Sequence, residues 1–435
     1  MKKTVVIIGG GFAGINLTLS LAKKEGFHVI LVDRNNYNFF PPLLYQVATG
    51  FLEVSNISYP YRKLLRYKNV NFIMGELLKI VPEANKVVLD TGEVSYDHLV
   101  IATGTESNYF GIENIKKYSI PMKTVNDATN MRNYLLLKME EATREKDEAE
   151  KKKLTTIVIA GGGPSGVEIA GMLAELRKNV FKKDYPELAN HKGAIHLVDG
   201  GPKVLAPMSA KSQTYTYDTL IQMGIDVKLN KQVKDYVNDT VIFADGETIQ
   251  TKILIWAAGV TATVFEGLPA TTYGRGKRLL VDEFNKVTGT QNIYAIGDTC
   301  FQTTDKNFPN GHPQLAQVAI QQGKNLANNF LRAAKNESSV PFVYNDKGSM
   351  AIIGTTKAVA DIPKPTLHFN GFVAWFIWVF IHLASLINYR NKLRTLYNWG
   401  AAFITRDQSL RMIVRPASKK ADDTVPETEL VPNTK

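Results

Sequence analysis

The chain contains very little cysteine: Cys300 is the only one among its 435 residues. A single cysteine cannot form a disulfide within the chain, a CxxC redox pair or a cysteine zinc cluster. The composition therefore excludes every function that needs two cysteines of one chain, and no other pattern suggests a metal site.

Acidic residues are also scarce, since 41 Asp and Glu face 52 Lys and Arg, a formal net charge of +11. Such a balance is typical of chains that bind nucleic acid, an anionic membrane surface or anionic cofactors. No nucleic-acid motif is visible, so we expect no nucleic-acid partner.

The length is sufficient for two to three domains, and 44% hydrophobic against 21% charged residues indicate a globular protein. MKK leads directly into a strand pattern, which predicts no signal peptide and a cytoplasmic location.

The most informative stretch is VVIIGGGFAGINLTLS, which begins at Val5. It predicts a buried strand over Thr4–Ile8 and a helix over Ile15–Ala22. The glycines between them form the pattern GxGxxG; they are Gly9, Gly11 and Gly14. In such a turn the first glycine allows the tight bend, the second lets the backbone approach a pyrophosphate, and the third lets the helix pack on the strand. N–H groups at the start of the helix then face the phosphates.

A near copy, TIVIAGGGPSGVEIAG, begins at Thr156. It predicts a strand over Thr156–Ala160 and a helix over Val167–Lys178. Its turn is formed by Gly161, Gly163 and Gly166. Two turns of this kind predict two bound dinucleotides.

Each turn is followed by a second predicted strand that ends in an acid. His28–Val32 ends in Asp33, at the usual distance of about 20 residues from its turn. Ala194–Val198 ends in Asp199, which comes later because the preceding connection is longer. An acid at this place can hold the hydroxyl groups of a ribose.

Three further segments predict closing strands: HLVIATG at 98–104, ILIWAAG at 253–259 and NIYAIGD at 292–298. The first two resemble each other, as a duplicated architecture requires. The charged stretch KMEEATREKDEAEKKK, at 138–153, predicts a solvated helix that leads into the second domain.

This set of segments, in this order, resembles the flavoproteins with two dinucleotide-binding domains, over about residues 4–330. The resemblance implies that the first turn binds FAD, that the second binds NAD(P)H, and that NIYAIGD returns to the FAD domain. There its acid, Asp298, and nearby backbone are implied to hold the ribityl chain and pyrophosphate. The single cysteine excludes the disulfide reductases and sulfide:quinone reductases of this superfamily.

Two segments and the C-terminal region narrow the resemblance to the type II NADH:quinone oxidoreductases, the single-subunit respiratory dehydrogenases, over about residues 4–416. The segments are NFFPPLLYQVATG at 38–50 and HPQLAQVAIQQGKNLANNF at 312–330. This resemblance implies that Pro42–Gln46 lines the flavin and the quinone opening. It also implies that Ala316 and Gln317 begin a helix under the isoalloxazine, where backbone donors can stabilise negative charge.

The resemblance supplies the expected site residues. Catalytic roles fall to Glu168, near nicotinamide and flavin, and to Gln317, which faces the quinone. The residues expected to bind cofactor are Gly9, Gly11, Phe12, Ala13, Gly14, Asp33, Arg34, Pro42, Leu43, Ala102, Thr103, Gly104, Gly161, Gly163, Pro164, Ser165, Gly166, Asp199, Ala258, Gly259, Gly297, Asp298, Ala316 and Gln317. The expected quinone contacts are Tyr45, Gln46, Gln317 and Gln321.

Structural alternatives stay open for the polar members of this set. Gln317 and Gln321 fit an ordinary polar helix face, and Glu168 fits a charge that caps a helix N-terminus. Asp199 and the absence of an adjoining arginine favour NADH over NADPH.

The longest apolar run is GFVAWFIWVFIHLASLIN, over 371–388, near the lower limit for a membrane-spanning helix. Its aromatic and aliphatic residues from Phe372 to Ile387 recur on one stripe, with Trp378, His382, Ser385 and Asn388 elsewhere. Cations follow it: Arg390, Lys392, Arg394, Arg406, Arg411 and Arg415, against the single acid Asp407. This pattern favours a helix pair lying in the headgroup region over a spanning helix or a core or dimer contact.

We therefore predict an α/β flavoprotein with two Rossmann-like domains and a C-terminal membrane-associating helical module. The expected domains are an FAD domain over 1–125 and 282–345, an NADH domain over 126–281, the membrane module over 346–416 and a disordered tail over 417–435. The predicted activity is NADH:quinone oxidoreduction without proton pumping, on the cytoplasmic face of the inner membrane. A ferredoxin- or rubredoxin-type reductase and an apoptosis-inducing-factor-like NADH sensor are the alternatives, and a homodimer stays open.

Overall fold

The computed structural model describes residues 2–188, 191, 193–405 and 410–414. Within them the chain builds two parallel sheets of five strands each. Across the first sheet the strands are Ile293–Ala295, His98–Ile101, Lys3–Ile8, Phe27–Asp33 and Val70–Met74. Across the second they are Ile120–Pro121, Ile253–Trp256, Ile157–Ala160, Ile195–Val198 and Asp226–Lys228. The duplicated Rossmann-like architecture predicted from the sequence is confirmed.

The central strand of each sheet is the one that precedes a glycine turn. Val5 to Ile7 and Val158 to Ile159 are completely buried. Their unbroken apolar character reflects burial on both faces of a parallel sheet. Each half also carries a small antiparallel sheet at the same point of its sequence. These sheets contain Leu77–Val81, Lys86–Leu89 and Gly92–Ser95, and Val233–Val237, Thr240–Phe243 and Thr248–Gln250.

The helices after the two glycine turns begin earlier than predicted. They span Phe12–Leu21 and Pro164–Leu176, because each turn passes straight into the helix with Gly11 or Gly163 as its N-cap. Pro164 occupies the first helical position, where its fixed φ is already helical. The second helix continues as a π-helical segment, Arg177–Phe181.

The charged stretch forms parts of two helices, Val125–Arg144 and Glu148–Thr155. The stretch is largely solvated as predicted, but Met139 and Ala142 within it are buried. The predicted domain boundaries stay a proposal. Ile120–Pro121, which pairs with the second sheet, lies before the boundary proposed at residue 126.

The C-terminal region consists of an antiparallel sheet followed by a helix pair. The strands are Ser349–Ile353, Lys357–Pro363 and Thr366–Asn370, and the helices are Gly371–Ser385 and Tyr389–Thr405. No helix in the described part of the chain is long and apolar enough to cross a membrane. Arg406, Asp407, Arg415 and the predicted tail lie outside the described residues.

Shorter elements complete the fold. The strand pairs are Tyr37–Phe39 with Ser58–Pro60, Glu106–Ser107 with Val260–Thr261, and Leu279–Val281 with Cys300–Gln302. The remaining α-helices are Leu44–Ala48, Val54–Ile57, Tyr61–Leu64, Glu113–Tyr118, Lys182–Asp184, Ala210–Gln222 and Ala316–Ala333.

Close packing of helix Ala316–Ala333 on helix Phe12–Leu21 yields a stability prediction. A Cβ on Gly323 would lie 2.5 Å from the carbonyl oxygen of Ala13. Because backbone on both sides must move, we expect Gly323→Ala to lower the free energy of unfolding by about 1–3 kcal/mol. Gly400→Ala is the matched control, since its Cβ would meet nothing within 4 Å in helix Tyr389–Thr405. Thermal unfolding of both variants checks this, and equal midpoints would contradict it.

Candidate active site

The first glycine turn is shaped by backbone contacts that leave no room for side chains. Gly9 has φ +98° and packs against the carbonyl of Ala102, while Gly14 packs against the carbonyl of Gly9. A Cβ on Gly11, in contrast, would meet nothing within 4 Å. The helix that begins at Phe12 has no side-chain cap, so its first N–H groups point to this open space.

The second turn repeats these contacts position by position. Gly161 has φ +116° and packs against the carbonyl of Ala257, and Gly166 packs against the carbonyl of Gly161. Gly163 faces open space, and Pro164 and Ser165 beside it are exposed. Two glycines of each turn are thus needed for packing, and the third keeps space open for a ligand.

The two predicted acids hold the turns by hydrogen bonds. Asp33 Oδ2 accepts the N–H of Gly10 at 2.7 Å, and Asp199 Oδ2 accepts the N–H of Gly162 at 2.5 Å. Burial raises the pKa of Asp33, while backbone donors act in the opposite direction. Asp199 lies further in sequence from its glycine turn than Asp33 does from its own. It still occupies the equivalent position, because the longer connection lies outside the sheet.

A cavity of about 380 Å³ lies over the first turn. It is lined by many predicted residues, namely Gly9, Gly11, Phe12, Ala13, Asp33, Arg34, Ala102, Thr103, Gly104, Gly297 and Asp298. Gly14, Pro42, Leu43, Ala316 and Gln317 do not line it. Pro41 lines it in place of Pro42, and Leu43 is completely buried in the core.

In the second half, Ala258 and Gly259 follow the closing strand as predicted. Gly259 has φ +158°, and a Cβ there would lie 3.1 Å from the ring of Phe110. Phe110 is an exposed aromatic residue beside Trp256. The sequence did not indicate that the Phe110 side chain would lie beside Gly259, in the segment that follows the closing strand of the second sheet.

Lys123 is the main residue of the first cavity that the sequence did not reveal. Its Nζ donates to Thr105 Oγ1 at 2.8 Å, and both residues line the cavity with Asp298. Burial lowers the pKa of Lys123 and raises that of Asp298, and each charge counteracts the shift of the other. A lone lysine before a helix carries no signal, because only tertiary packing brings it to the acid.

Gln322 is a second such residue. Its Oε1 accepts the N–H of Gly297 at 2.7 Å, and its Nε2 lies 3.2 Å from Cys300 Sγ. Gln322 is completely buried, and burial raises the pKa of Cys300 to about 12. The thiol of the only cysteine is therefore protonated and serves in packing. Gln322 connects it to Gly297, in the turn that follows strand Ile293–Ala295.

A buried polar chain joins the helix pair to the first domain. Trp399 Nε1 donates to Gln46 Oε1 at 2.7 Å, and Gln46 Nε2 donates to the hydroxyl of Tyr45 at 2.9 Å. Tyr45 and Gln46 are each 3% exposed. These two predicted quinone contacts are thus held by a tryptophan more than 350 residues away in the sequence.

Glu168 of the second domain lies next to this chain. Burial raises its pKa well above the usual range, and an interaction with the backbone N–H of Ile352 acts in the opposite direction. The charge of Glu168 also raises the pKa of Tyr45, whose largest shift comes from burial. Glu168 lies beyond the first turn of its helix, where no acid is found, so the geometry does not fit a capping charge. Trp399, Gln46, Tyr45 and Glu168 are called the buried polar chain below.

Gln317 and Gln321 differ in their surroundings. Gln317 Nε2 donates to the carbonyl of Gly348 at 3.1 Å, while its Oε1 is buried without a described partner. Gln321 bonds through both amide atoms to the backbone of Asn345. The structure therefore favours the structural alternative for Gln321 and leaves an acceptor available on Gln317.

A row of aromatic contacts, one stacked and two edge-to-face, connects the helix pair with the first cavity. The ring centroids of Trp378 and His382 are 4.0 Å apart, those of His382 and Phe40 6.0 Å, and those of Phe40 and Phe12 5.6 Å. Burial lowers the pKa of His382 to about 4, so this imidazole is neutral at pH 7. Trp378 and His382 fell off the predicted apolar stripe, and they form the face of the helix that packs inward.

Comparisons with known proteins agree with this arrangement. A sequence profile of the pyridine nucleotide-disulphide oxidoreductases matches residues 3–323, and one of the NDH2 C-terminal domain matches residues 347–407. Type II NADH:quinone oxidoreductase NdhA of Mycobacterium tuberculosis is 34% identical over 423 residues, covering 93% of this chain and 88% of the relative. Type II NADH:quinone oxidoreductase Ndh of the same organism is 33% identical, with 93% and 89% covered. A solved structure of NDH2 from Plasmodium falciparum in complex with NADH has the same fold, with a TM-score of 0.87 at 23% identity, and covers 95% of this chain and 100% of that one.

Proposed function

This chain belongs to the type II NADH:quinone oxidoreductases, within the pyridine nucleotide-disulphide oxidoreductase family, and we propose that it passes two electrons from NADH through FAD to a membrane quinone without pumping protons. The observation that carries this proposal is the buried polar chain. In this chain, Glu168 of the helix after the second glycine turn lies near Tyr45 and Gln46 of the first domain. Trp399 of the C-terminal helix pair joins them through its hydrogen bond to Gln46.

FAD fits the cavity over the first turn. Gly11 leaves space for a pyrophosphate beside the uncapped start of helix Phe12–Leu21, and Asp33 retains acceptor capacity for a ribose. Asp298 and Lys123 belong to the same lining and can bind polar atoms of a ribityl chain. When bound, FAD supplies the hydride acceptor and two-electron donor that no side chain of the protein can provide.

NADH fits the second turn, where Gly163 and the start of helix Pro164–Leu176 offer the same phosphate cradle. The nicotinamide end is expected at Glu168, on the same helix. Glu168 is a half-buried carboxyl, and burial raises its pKa well above the usual range, which favours its protonated form. A protonated carboxyl beside Tyr45 and Gln46 can donate that proton to a quinone oxygen. Gln317, with its buried acceptor atom, is assigned to the quinone side.

The helix pair supplies the membrane surface. Its outward residues are apolar, including Phe376 at 62%, Phe380 at 68%, Leu393 at 65% and Tyr397 at 75% exposure. Arg390 and Arg394 are exposed among them, while Arg411 is held by Asp184 at 2.6 Å. An apolar aromatic face with interspersed cations suits an in-plane helix pair at an anionic headgroup boundary. NADH is a cytoplasmic substrate, so the cytoplasmic face of the inner membrane is the location that we infer.

An anaerobic experiment tests the activity and the residue roles together. NADH should bleach the yellow protein, and a quinone should then restore the colour without any protein acceptor. We expect Glu168→Ala to slow the bleaching, because it lies at the nicotinamide end, and also the recovery, because it supplies the quinone's proton. Gln317→Ala should slow mainly the recovery, and stopped-flow absorbance follows both steps. Gln321→Ala is the matched control on the helix of Gln317, with both rates expected near those of the unaltered chain.

The rival functions give different outcomes in this experiment. A ferredoxin- or rubredoxin-type reductase would recover only with an electron-carrier protein. An apoptosis-inducing-factor-like sensor would hold a long-lived charge-transfer complex and reduce quinone slowly. If both Glu168→Ala and Gln317→Ala match the unaltered chain in both rates, the two residues are ordinary helix surface.

Asp199 predicts the choice of nicotinamide. Its carboxylate is fixed by the N–H groups of Gly162 and Gly201, and no arginine adjoins it to receive a 2′-phosphate. We expect kcat/KM for NADH to exceed that for NADPH by about ten-fold or more, close to 1.4 kcal/mol. Steady-state rates with the two nucleotides measure this ratio, and a ratio near one would refute the assignment.

Membrane binding is predicted to need the exposed face of the helix pair. Phe376→Glu combined with Phe380→Glu should abolish sedimentation with vesicles that contain anionic lipid, because charges replace the apolar face. Ile221→Glu, at an exposed apolar position on helix Ala210–Gln222, is the matched control and should bind normally. High salt should release the unaltered chain only in part, since each cation near an anionic surface contributes about 1 kcal/mol beside the apolar term. Unchanged sedimentation of the double variant would place the anchor elsewhere.

A further inference from the structure

Two carboxyl groups lie on one face of the helix that follows the second glycine turn. Glu168 and Glu175 are seven residues apart on helix Pro164–Leu176, which is two helical turns and roughly 10 Å along its axis. Between them Gly171 packs on the C-terminal sheet, where its Cβ would lie 2.5 Å from the N atom of Gly354. The helix and the turn around Gly354 are thus in direct backbone contact, with one carboxyl on each side.

Glu175 is held at this contact in an incomplete way. Its Oε1 accepts the N–H of Thr355 at 2.9 Å, and the hydroxyl of Thr355 also interacts with it. Its Oε2 is buried without a hydrogen-bond partner among the described residues. A purely structural role, that of holding the turn, accounts for the first oxygen and leaves the second unexplained.

Two lysines lie near the half-buried Glu175. Lys178 on its own helix and Lys357 on the facing strand both lower the pKa, while burial, the largest effect, raises it. Helix Ala210–Gln222 brings the uncharged side chain of Met223, just past its end, to the same contact. The carboxyl therefore keeps its proton to a higher pH than an ordinary glutamate, and two lysines flank it.

A small cavity lies between the partners of the two glutamates, and neither glutamate lines it directly. It has a volume of about 30 Å³, and its lining includes Gln46, Met172, Ile352, Thr355 and Trp399. That space is enough for one or two water molecules, which need about 10–15 Å³ each by this measure. Thr355 is the partner of Glu175, and the backbone N–H of Ile352 is the partner of Glu168. The amide of Gln46 supplies a further polar contact for a water.

The proposed reaction needs a proton from solvent at this depth. Its balance is NADH + H⁺ + quinone → NAD⁺ + quinol. The hydride carries two electrons and one proton, and the second proton of the quinol must come from water through a group that reaches the buried site.

We propose that Glu175 takes up this proton and passes it, through the Thr355 hydroxyl and a water in the 30 Å³ cavity, to Glu168. Glu175 gives up its proton on the inner side and is reprotonated from solvent, while Glu168 donates to the quinone oxygen. Glu175 delivers the proton to Glu168 and does not itself contact the quinone. It is therefore a positioning residue and not a catalytic residue. This inference rests on the proposed function.

Glu175→Gln tests the route, because glutamine keeps an acceptor for Thr355 and cannot carry a proton. We expect NADH to bleach the flavin at an unchanged rate, while colour recovery with quinone slows by about ten-fold at neutral pH. This effect is smaller than the 10²–10⁴-fold rate contribution typical of a general acid, because Glu168 is still present. The recovery rate of the variant should fall with rising pH from a lower pH than that of the unaltered chain. A small weak acid such as formic acid should restore it.

Glu150→Gln is the matched control, since it removes a carboxylate that pairs with Lys153 and Lys252 away from the cavity. It should change neither rate. A readout independent of turnover is an infrared pH titration of the flavin-loaded protein, in which Glu175→Gln should lose the signal of one carboxyl that titrates above the usual range of glutamate. Thr355→Val keeps Glu175 and removes the hydroxyl, so it should show the same pH effect if Glu175→Gln does not fold.

The outcomes separate this inference from the function on which it rests. If the unaltered chain fails to reduce quinone, the proposed function is wrong. If it reduces quinone and both Glu175→Gln and Thr355→Val keep its recovery rate and pH profile, only the proton route is wrong. Slower bleaching, or slower recovery without a pH shift or rescue by weak acid, would assign Glu175 a structural role and overturn the proposal.

Discussion

The structure depends on backbone segments that approach each other more closely than any side chain allows. Gly9 fits only because it has no Cβ to meet the carbonyl of Ala102, and Gly161 stands in the same relation to Ala257. This contact fixes the distance between the first strand and the closing strand of each sheet. The position of the helix start, the open space at the middle glycine and the place of the acid all follow from it. A dinucleotide then binds to N–H groups whose directions the backbone has already set.

The proposed catalytic region is assembled from three parts, none of which contains all of its residues. Glu168 comes from the second domain, Tyr45 and Gln46 from the first, and Trp399 from the helix pair. A buried hydrogen bond such as that of Trp399 to Gln46 is costly to break, because both groups would then be unsatisfied. Polar burial thus couples the position of the C-terminal helix pair to the segment that contains Tyr45 and Gln46. The Gly171–Gly354 contact adds a second fixed point between the same parts.

The local features of the fold were predictable from the sequence, and the long-range ones were not. Strands, glycine turns and Asp33 follow from patterns within about 30 residues, which reflect local geometry. Lys123 was missed because its partners, Thr105 and Asp298, are set by packing between distant segments. The apolar stripe of the helix Gly371–Ser385 was recognised, but its periodicity could not identify the inward face, since both faces carry aromatic residues. Trp378, at 1% exposure, lies inward although it is outside the stripe, while Trp375 and Val379 of the stripe also pack partly against the core.

The two faces of the helix pair bear on the class of electron acceptor. Trp378 and Trp399 are buried in the core on the inner side of the helix pair. The exposure of Phe376, Phe380 and Tyr397 on its outer side therefore does not result from a missing core. A contiguous apolar surface of this kind is rare on a protein that meets only water and polar partners, and it is what a membrane-dissolved acceptor requires. The helix that exposes Tyr397 also carries Trp399 to Gln46, so one helix separates the exposed apolar face from the buried polar chain. Glu168, at the opposite end of that chain, belongs to the helix after the second glycine turn. With hydride and proton arriving from the same side and the quinone from the lipid, the proposed reaction consumes its proton without moving charge across a membrane.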